Sequence, residues 1–167
     1  MWRFVLVFLI FAGLAPMVPD LLEKHIGKTE PGASKPIRVE KSAGDRMHLV
    51  SADRRGQFVA DVELNGRSVE MLVDTGATAT ALPVSVAEMV GIFPKGKDFK
   101  YRIGTANGVT LGARATIDRL KIGAIYLRDI EAIVLRDKSL REPLLGMSAL
   151  NQLDRFDISD GTLVLVQ

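Results

Sequence analysis

The strongest constraint on the fold lies in residues 58–73, FVADVELNGRSVEMLV. Phe58, Ala60, Val62 and Leu64 alternate with Val59, Asp61 and Glu63, and Val69, Met71 and Val73 alternate with Ser68, Glu70 and Leu72. A period of two lays each apolar set on one face of a strand. Between the two runs stands Asn65-Gly66, a pair that accepts the positive φ angles of a tight two-residue turn. A β-hairpin follows, with one apolar face that other elements must cover. Its second strand runs directly into Asp74.

The rest of the chain reads as more of the same. LPVSVAEMVG, residues 82–91, predicts a short helix with Pro83 near its start and Gly91 past its end. A second β region spans Tyr101 to Leu135, with turns at GTANG (104–108) and at Gly123. PLLGMSALNQL, residues 143–153, predicts a buried strand entering a short helix, and Asp160-Gly161 marks a last hairpin closing on TLVLV. Hydrophobic residues make up 47% of the chain and charged residues 25%, which places residues 47–167 among folded domains rather than disordered ones. The expected class is mainly β, a small barrel or sandwich with one or two short helices.

The first 46 residues differ. MWRFVLVFLIFAGLAPMVP opens with a basic Arg3 and then runs apolar from Phe4 to Val18. No polar face interrupts that run, which argues against a helix buried in the domain. Gly13 and Ala15 are small enough for a cleavage site, but Pro16 would follow the cut and hinder processing. Residues 1–19 are therefore expected to be an uncleaved transmembrane signal anchor. Residues 20–46, polar and carrying Pro31, Gly32, Ser34 and Pro36, are expected to be a flexible tether.

Several chemistries are excluded or disfavoured. There is no cysteine, so there is no disulfide, thiolate metal site or cysteine nucleophile. His25 and His48 are the only imidazoles; both are expected to be solvated, and no metal site is predicted. Net charge is +2 with no dense basic stripe interleaved with aromatics, which argues against a nucleic-acid partner. GIFPKGKD, residues 91–98, has phosphate-loop spacing but ends in Asp98 where a hydroxyl is required. GMSAL, residues 146–150, starts like a nucleophile elbow but has Leu150 where glycine is needed, and no histidine in the β domain would activate Ser148. Asp154 and Asp157 flank Arg155 as a solvated face.

One tripeptide stands apart. Asp74-Thr75-Gly76 occurs once, preceded by the apolar strand VEMLV and followed by the small residues Ala77, Thr78, Ala79 and Thr80. As a turn it is unremarkable: Asp caps the backbone and Gly takes the strained angle. Yet an ionised carboxylate at the end of an apolar strand is costly without a purpose. The surroundings suit an acid at the base of a cleft, with the Thr75 and Thr78 hydroxyls nearby.

Taken together, VDTGAT (73–78), LLGMSAL (144–150) and RFDISDGTLVL (155–165), in that order and at that separation, resemble the retropepsin-like aspartic proteases. With the apolar N-terminus and polar tether, the chain is most similar to their bacterial, membrane-anchored, single-domain type. The resemblance covers roughly residues 57–167 and implies a retropepsin-like closed β-barrel protomer. It implies that Asp74 is the catalytic acid and that Thr75, Gly76, Ala77 and Thr78 support its loop. Leu144, Leu145 and Gly146 would pack behind that loop. Thr105, Ala106, Asn107 and Gly108 would form the tip of a flap over the substrate.

Two-lobed pepsin-type enzymes carry two such motifs, and this chain carries one; Asp160-Gly161-Thr162 has the wrong order. The resemblance therefore implies a homodimer with Asp74 of each subunit at the axis. It implies an endopeptidase that cuts protein or peptide substrates without metal or organic cofactor. It also implies a single-pass place in a bacterial inner membrane, with the domain in the periplasm. Two other readings compete: a non-catalytic, membrane-tethered β-barrel that binds extended peptides by strand addition, and a tethered scaffold in which Asp74 is only a turn residue.

Overall fold

The computed structural model describes residues 46–106 and 108–167. The anchor, the tether up to residue 45 and Asn107 lie outside the described residues. Among the described residues no helix is long and apolar enough to cross a membrane.

The 58–73 pattern produces the hairpin it predicts. Strands β2 (Val59–Leu64) and β3 (Arg67–Val73) pair antiparallel, with Ala60 opposite Met71 and Val62 opposite Val69. Asn65 and Gly66 take φ of 49° and 87°. The Asn65 side chain is used further: its Oδ1 accepts the Arg119 N–H at 3.0 Å and its amide donates to the Val90 carbonyl at 3.2 Å. The turn is thereby pinned to a neighbouring strand and to the end of a helix. Ala60, Val62, Leu64, Val69 and Met71 are all buried, and each larger side chain taken from water contributes about 1.5–3 kcal/mol.

The elements in chain order are β1 (Met47–Ser51), β2, β3, β4 (Thr80–Pro83), helix α1 (Val84–Met89) and a 3-10 turn (Gly96–Asp98). There follow β5 (Tyr101–Thr105), β6 (Gly108–Ile122), β7 (Ile125–Leu135), β8 (Leu144–Leu145), helix α2 (Met147–Leu150), β9 (Arg155–Ser159) and β10 (Thr162–Val166). The architecture is mainly β with few short helices, as expected. The strands form two hydrogen-bonded sheets, β1-β10-β9 and β2-β3-β8-β4-β7-β6-β5, the second with an extra β2–β6 contact at Leu64 and Leu120. The β2–β6 contact links strand β2 back to β6, so the pairings β2-β3-β8-β4-β7-β6 run in a ring, with β5 at its side and β1, β9 and β10 in the separate sheet.

The long β6–β7 hairpin changes face halfway. On β6 the buried residues include Ala113 and Ile117, then Leu120 and Ile122; on β7 they include Ile125 and Leu127, then Ile130, Ala132 and Val134, while Ile133 and Leu135 are buried on the opposite face. Each strand slips one step in phase at a pair of exposed residues, Asp118-Arg119 and Arg128-Asp129. Asp129 takes φ of 52°, the backbone adjustment that allows the crossing. The tip half covers the β2–β3 hairpin, while the base half backs β4.

The three-stranded sheet turns Val50, Leu163 and Leu165 into the same core. Asp160 and Gly161, at φ of 48° and 70°, form its turn. His48 is half-buried rather than solvated: it pairs with Leu165, and its ring lies against Gly123, where a Cβ would come within 2.6 Å of Nδ1.

Candidate active site

Asp74 is positioned by backbone. Strand β3 pairs with the two-residue β8 in parallel, Leu72 with Leu144 and Val73 with Leu145. Strand β4 meets β8 from the other side at Ala81 and Leu144. The Leu72 N–H donates to the Pro143 carbonyl at 3.0 Å, and the Asp74 N–H donates to the Leu145 carbonyl at 3.1 Å. Beyond β3 the loop 74–79 turns back over Gly146. A Cβ on Gly146 would stand 2.4 Å from the Ala79 carbonyl oxygen and 2.8 Å from that of Ala77, so only glycine fits. The Met147 N–H donates to the Ala77 carbonyl at 2.8 Å.

Ser148 completes the support. Its hydroxyl donates to the Glu131 carbonyl at 2.7 Å, accepts the Thr80 N–H at 2.8 Å and lies 3.1 Å from the Thr80 hydroxyl. Thr80 is fully buried, and this serine satisfies it. The hydroxyl that a nucleophile elbow would expose is a structural tie here.

The carboxylate is held from within its own loop. The Gly76 N–H donates to Asp74 Oδ1 at 2.8 Å, and the Ala77 N–H donates to the Asp74 carbonyl at 3.2 Å. Asp74 is half-buried, and among the described residues it forms no ion pair. Thr75 and Thr78 are exposed, and within the described residues neither hydroxyl has a partner.

Asp74 lies on the floor of a cleft of about 660 Å³. Gly76, Ala77, Thr78 and Ala79 continue the floor; β5 residues Arg102–Thr105 and Ala106 form the roof. Ile133 and Leu135 of β7, Ser139, Leu140 and Leu144 close the walls. At the roof, Thr105 pairs with Gly108, its hydroxyl donates to the Gly108 carbonyl at 2.8 Å, and Gly108 takes φ of 105°. The volume suits a few side chains of an extended ligand.

The expected residues thus fall into three groups. Asp74, Gly76, Ala77, Thr78, Leu144, Thr105 and Ala106 line the cleft. Leu145 and Gly146 lie buried behind the loop, and Gly108 shapes the roof without lining it. Thr75 sits at the exposed tip of its loop, away from the lining. Arg102, Ile103, Ile133, Leu135, Ser139 and Leu140 were not anticipated. Ile133 and Leu135 carried a signal, since alternate residues of the apolar run ending at Leu135 share a face.

Residues 60–152 match the family described as "gag-polyprotein putative aspartyl protease". The chain belongs to this aspartyl protease family. The matched span includes both Asp74 and the Leu144–Gly146 step behind it. The chain is 32% identical over 127 residues to a Sinorhizobium protein described as an uncharacterized protein in the cobV 5′ region, covering 76% of this chain and 54% of that protein. It is 35% identical over 111 residues to the DNA damage-inducible protein 1 of Neurospora crassa, covering 63% of this chain and 24% of that one. The chain thus spans about half or less of the length of these curated relatives. The crystal structure of a retropepsin-like aspartic protease from Rickettsia conorii superposes with a TM-score of 0.63 at 29% identity, covering 74% of this chain and 92% of that one. The fold of this aspartyl protease relative is therefore retropepsin-like and mainly β.

Proposed function

We propose that the chain is an aspartic endopeptidase whose active site forms between two copies, each contributing Asp74. The observation that carries this is the placement of one carboxylate, in no ion pair among the described residues, on the floor of a cleft in a chain of an aspartyl protease family. Among the described residues Asp74 is the sole acid lining that cleft, and a dyad needs two. A two-fold pair of subunits supplies the second. Thr75, exposed and without a side-chain partner among the described residues, stands ready to hydrogen-bond across the axis.

The chemistry follows from the pairing. Two carboxylates a few ångström apart cannot both ionise readily, so the pair holds one proton. The ionised member takes a proton from a water held between them, and the oxygen of that water attacks the scissile carbonyl carbon. The protonated member hydrogen-bonds the carbonyl oxygen as it gains charge. Thr105, Ala106, Asn107 and Gly108 act as the flap over the bound chain. Residues 1–19 anchor the protein in a bacterial inner membrane and residues 20–46 tether the domain in the periplasm. Tethering two copies to one surface raises their local concentration and favours pairing.

The test uses the full-length chain in neutral detergent beside Asp74→Asn, with an unfolded protein substrate between about pH 3 and 7, the range that brackets an aspartyl dyad. Fragments are expected from the parent alone. Mixing equal amounts of parent and Asp74→Asn subunits, with exchange, should leave about a quarter of the parent-pair activity if each site needs both carboxylates. A fall only to one half, as for subunits acting independently, or to three quarters, as for mixed pairs that are fully active, would show that one Asp74 suffices. Equal cleavage by both proteins, or none by a folded parent dimer, would sink the proposal; in the second case the peptide-binding reading takes its place.

A further inference from the structure

The charge of the chain is not spread evenly around the cleft. Two segments that contribute residues to its lining stand out: residues 100–114, which include the roof strand, and residues 136–142, the loop after β7. They carry Lys100, Arg102, Arg114, Arg136, Lys138 and Arg141, all exposed, against two acids, Asp137 and Glu142. Six basic and two acidic residues leave a net of +4, on a chain whose total is +2. One of the acids is already occupied, since Asp137 Oδ1 accepts the Ser85 N–H at 3.1 Å.

Three of the six cations are held on aromatic faces. Lys100 and Arg114 stand 5.6 and 4.7 Å from the centre of the Tyr101 ring, and Arg136 stands 4.5 Å from that of Phe99. Arg102, Lys138 and Arg141 have neither an ion pair nor a ring partner among the described residues. Arg102 alone of the six lines the cleft, in the roof, while Asp74 lies in the floor. The large side chains that line the same cleft, Ile103, Ile133, Leu135, Leu140 and Leu144, are apolar.

Gathering like charges around one opening costs repulsion and gives a neutral ligand nothing. It raises the local concentration of an acidic one and speeds its encounter. An acid placed at the scissile bond would meet the carboxylate of Asp74. An acid placed beside that bond would meet Arg102, whose planar fork donates two hydrogen bonds to a carboxylate. We propose that the cleft takes acidic extended polypeptide segments, seating an apolar side chain between its aliphatic walls and pairing a neighbouring Asp or Glu with Arg102. This rests on the peptidase reading of the same site and adds its substrate class.

The test uses the full-length chain and three peptides sharing one apolar core, flanked by Glu, Gln or Lys. Cleavage efficiency is expressed for each protein as the ratio of the charged to the Gln peptide, so a change in overall activity cancels. The parent should favour the Glu peptide roughly fivefold over Gln at low salt, the scale of one exposed ion pair strengthened by its neighbours. Salt should erode that preference. Arg102→Glu should abolish it and favour the Lys peptide, while Arg102→Lys should retain part of it. Cleavage of all three at equal rates, or a preference that Arg102→Glu leaves intact, overturns the proposal while the peptidase reading stands. If nothing is cleaved, the peptidase reading fails, and anisotropy of the same peptides labelled with fluorescein decides the inference alone: tighter binding of the Glu peptide, lost in Arg102→Glu, supports it, and equal binding refutes it.

Discussion

The floor and the roof of the cleft are built on opposite plans. The floor is held by backbone against backbone: β8 is clamped between β3 and β4, and loop 74–79 lies directly on Gly146. The roof is the end of a two-stranded hairpin, β5–β6, tied at its tip by Thr105 and Gly108 and at its side by a hydroxyl contact between Thr110 and Ser139, 3.2 Å apart. The floor fixes one carboxylate to within the tolerance of chemistry, as a preorganised site requires. The roof strand β5 stands at the end of its sheet and pairs with β6 alone among the described residues, as a segment that must admit a chain requires. Substitutions at each should therefore fail in different ways.

The largest effect belongs to the floor. Gly146→Ala would force a methyl into two carbonyl oxygens of loop 74–79, and neither can yield without moving Ala77 or Ala79. We expect a loss of about 3 kcal/mol or more in denaturant-induced unfolding, with activity lost alongside. A stable and active Gly146→Ala protein would show that the loop is looser than its contacts imply. Ser148→Ala comes next. It strips the buried Thr80 N–H of its partner and frees the Glu131 carbonyl, for a cost of about 2 kcal/mol. Cleavage should survive at temperatures where the fold does, since no step in the mechanism uses the Ser148 hydroxyl. Complete inactivation of a folded Ser148→Ala protein would reopen a nucleophilic role.

The same contrast separates what the sequence revealed from what it concealed. The floor was legible because its parts are local: VDTGAT is one continuous stretch, and Leu144-Leu145-Gly146 is a compact apolar step ending in the glycine that the packing demands. Both two-residue turns, at Asn65-Gly66 and Asp160-Gly161, were equally legible, because positive φ at adjacent residues admits few residue types. The walls were not legible. Ile133, Leu135 and Leu140 meet Ile103 across some thirty residues of chain, and nothing in the local pattern records that pairing. Strand β4 escaped for a different reason. All four of its residues are buried, so Thr80–Pro83 shows no alternation of polar and apolar side chains. The face change in β6 and β7 was hidden likewise, because a one-residue slip looks like noise in a single strand and makes sense only when both partners show it. The separate three-stranded sheet was hidden too, because the pairing of β1 with β10 joins residues more than a hundred positions apart.

The smallest effect, and the one that most sharpens the comparison, concerns the roof. Thr110→Val removes one hydroxyl of the Thr110–Ser139 contact and keeps a β-branched side chain that suits the strand. Because the contact is half-buried, stability should fall by no more than about 1 kcal/mol. The consequence is expected instead in KM for a long peptide, which should change about two- to threefold while kcat holds, because the contact positions the roof and touches no reacting atom. Ser139→Ala should reproduce the shift, and the double variant should add nothing to either single one, because both remove the same contact. If Thr110→Val instead lowers kcat as strongly as it shifts KM, the roof takes part in the chemical step, and the division between a rigid floor and a yielding roof fails.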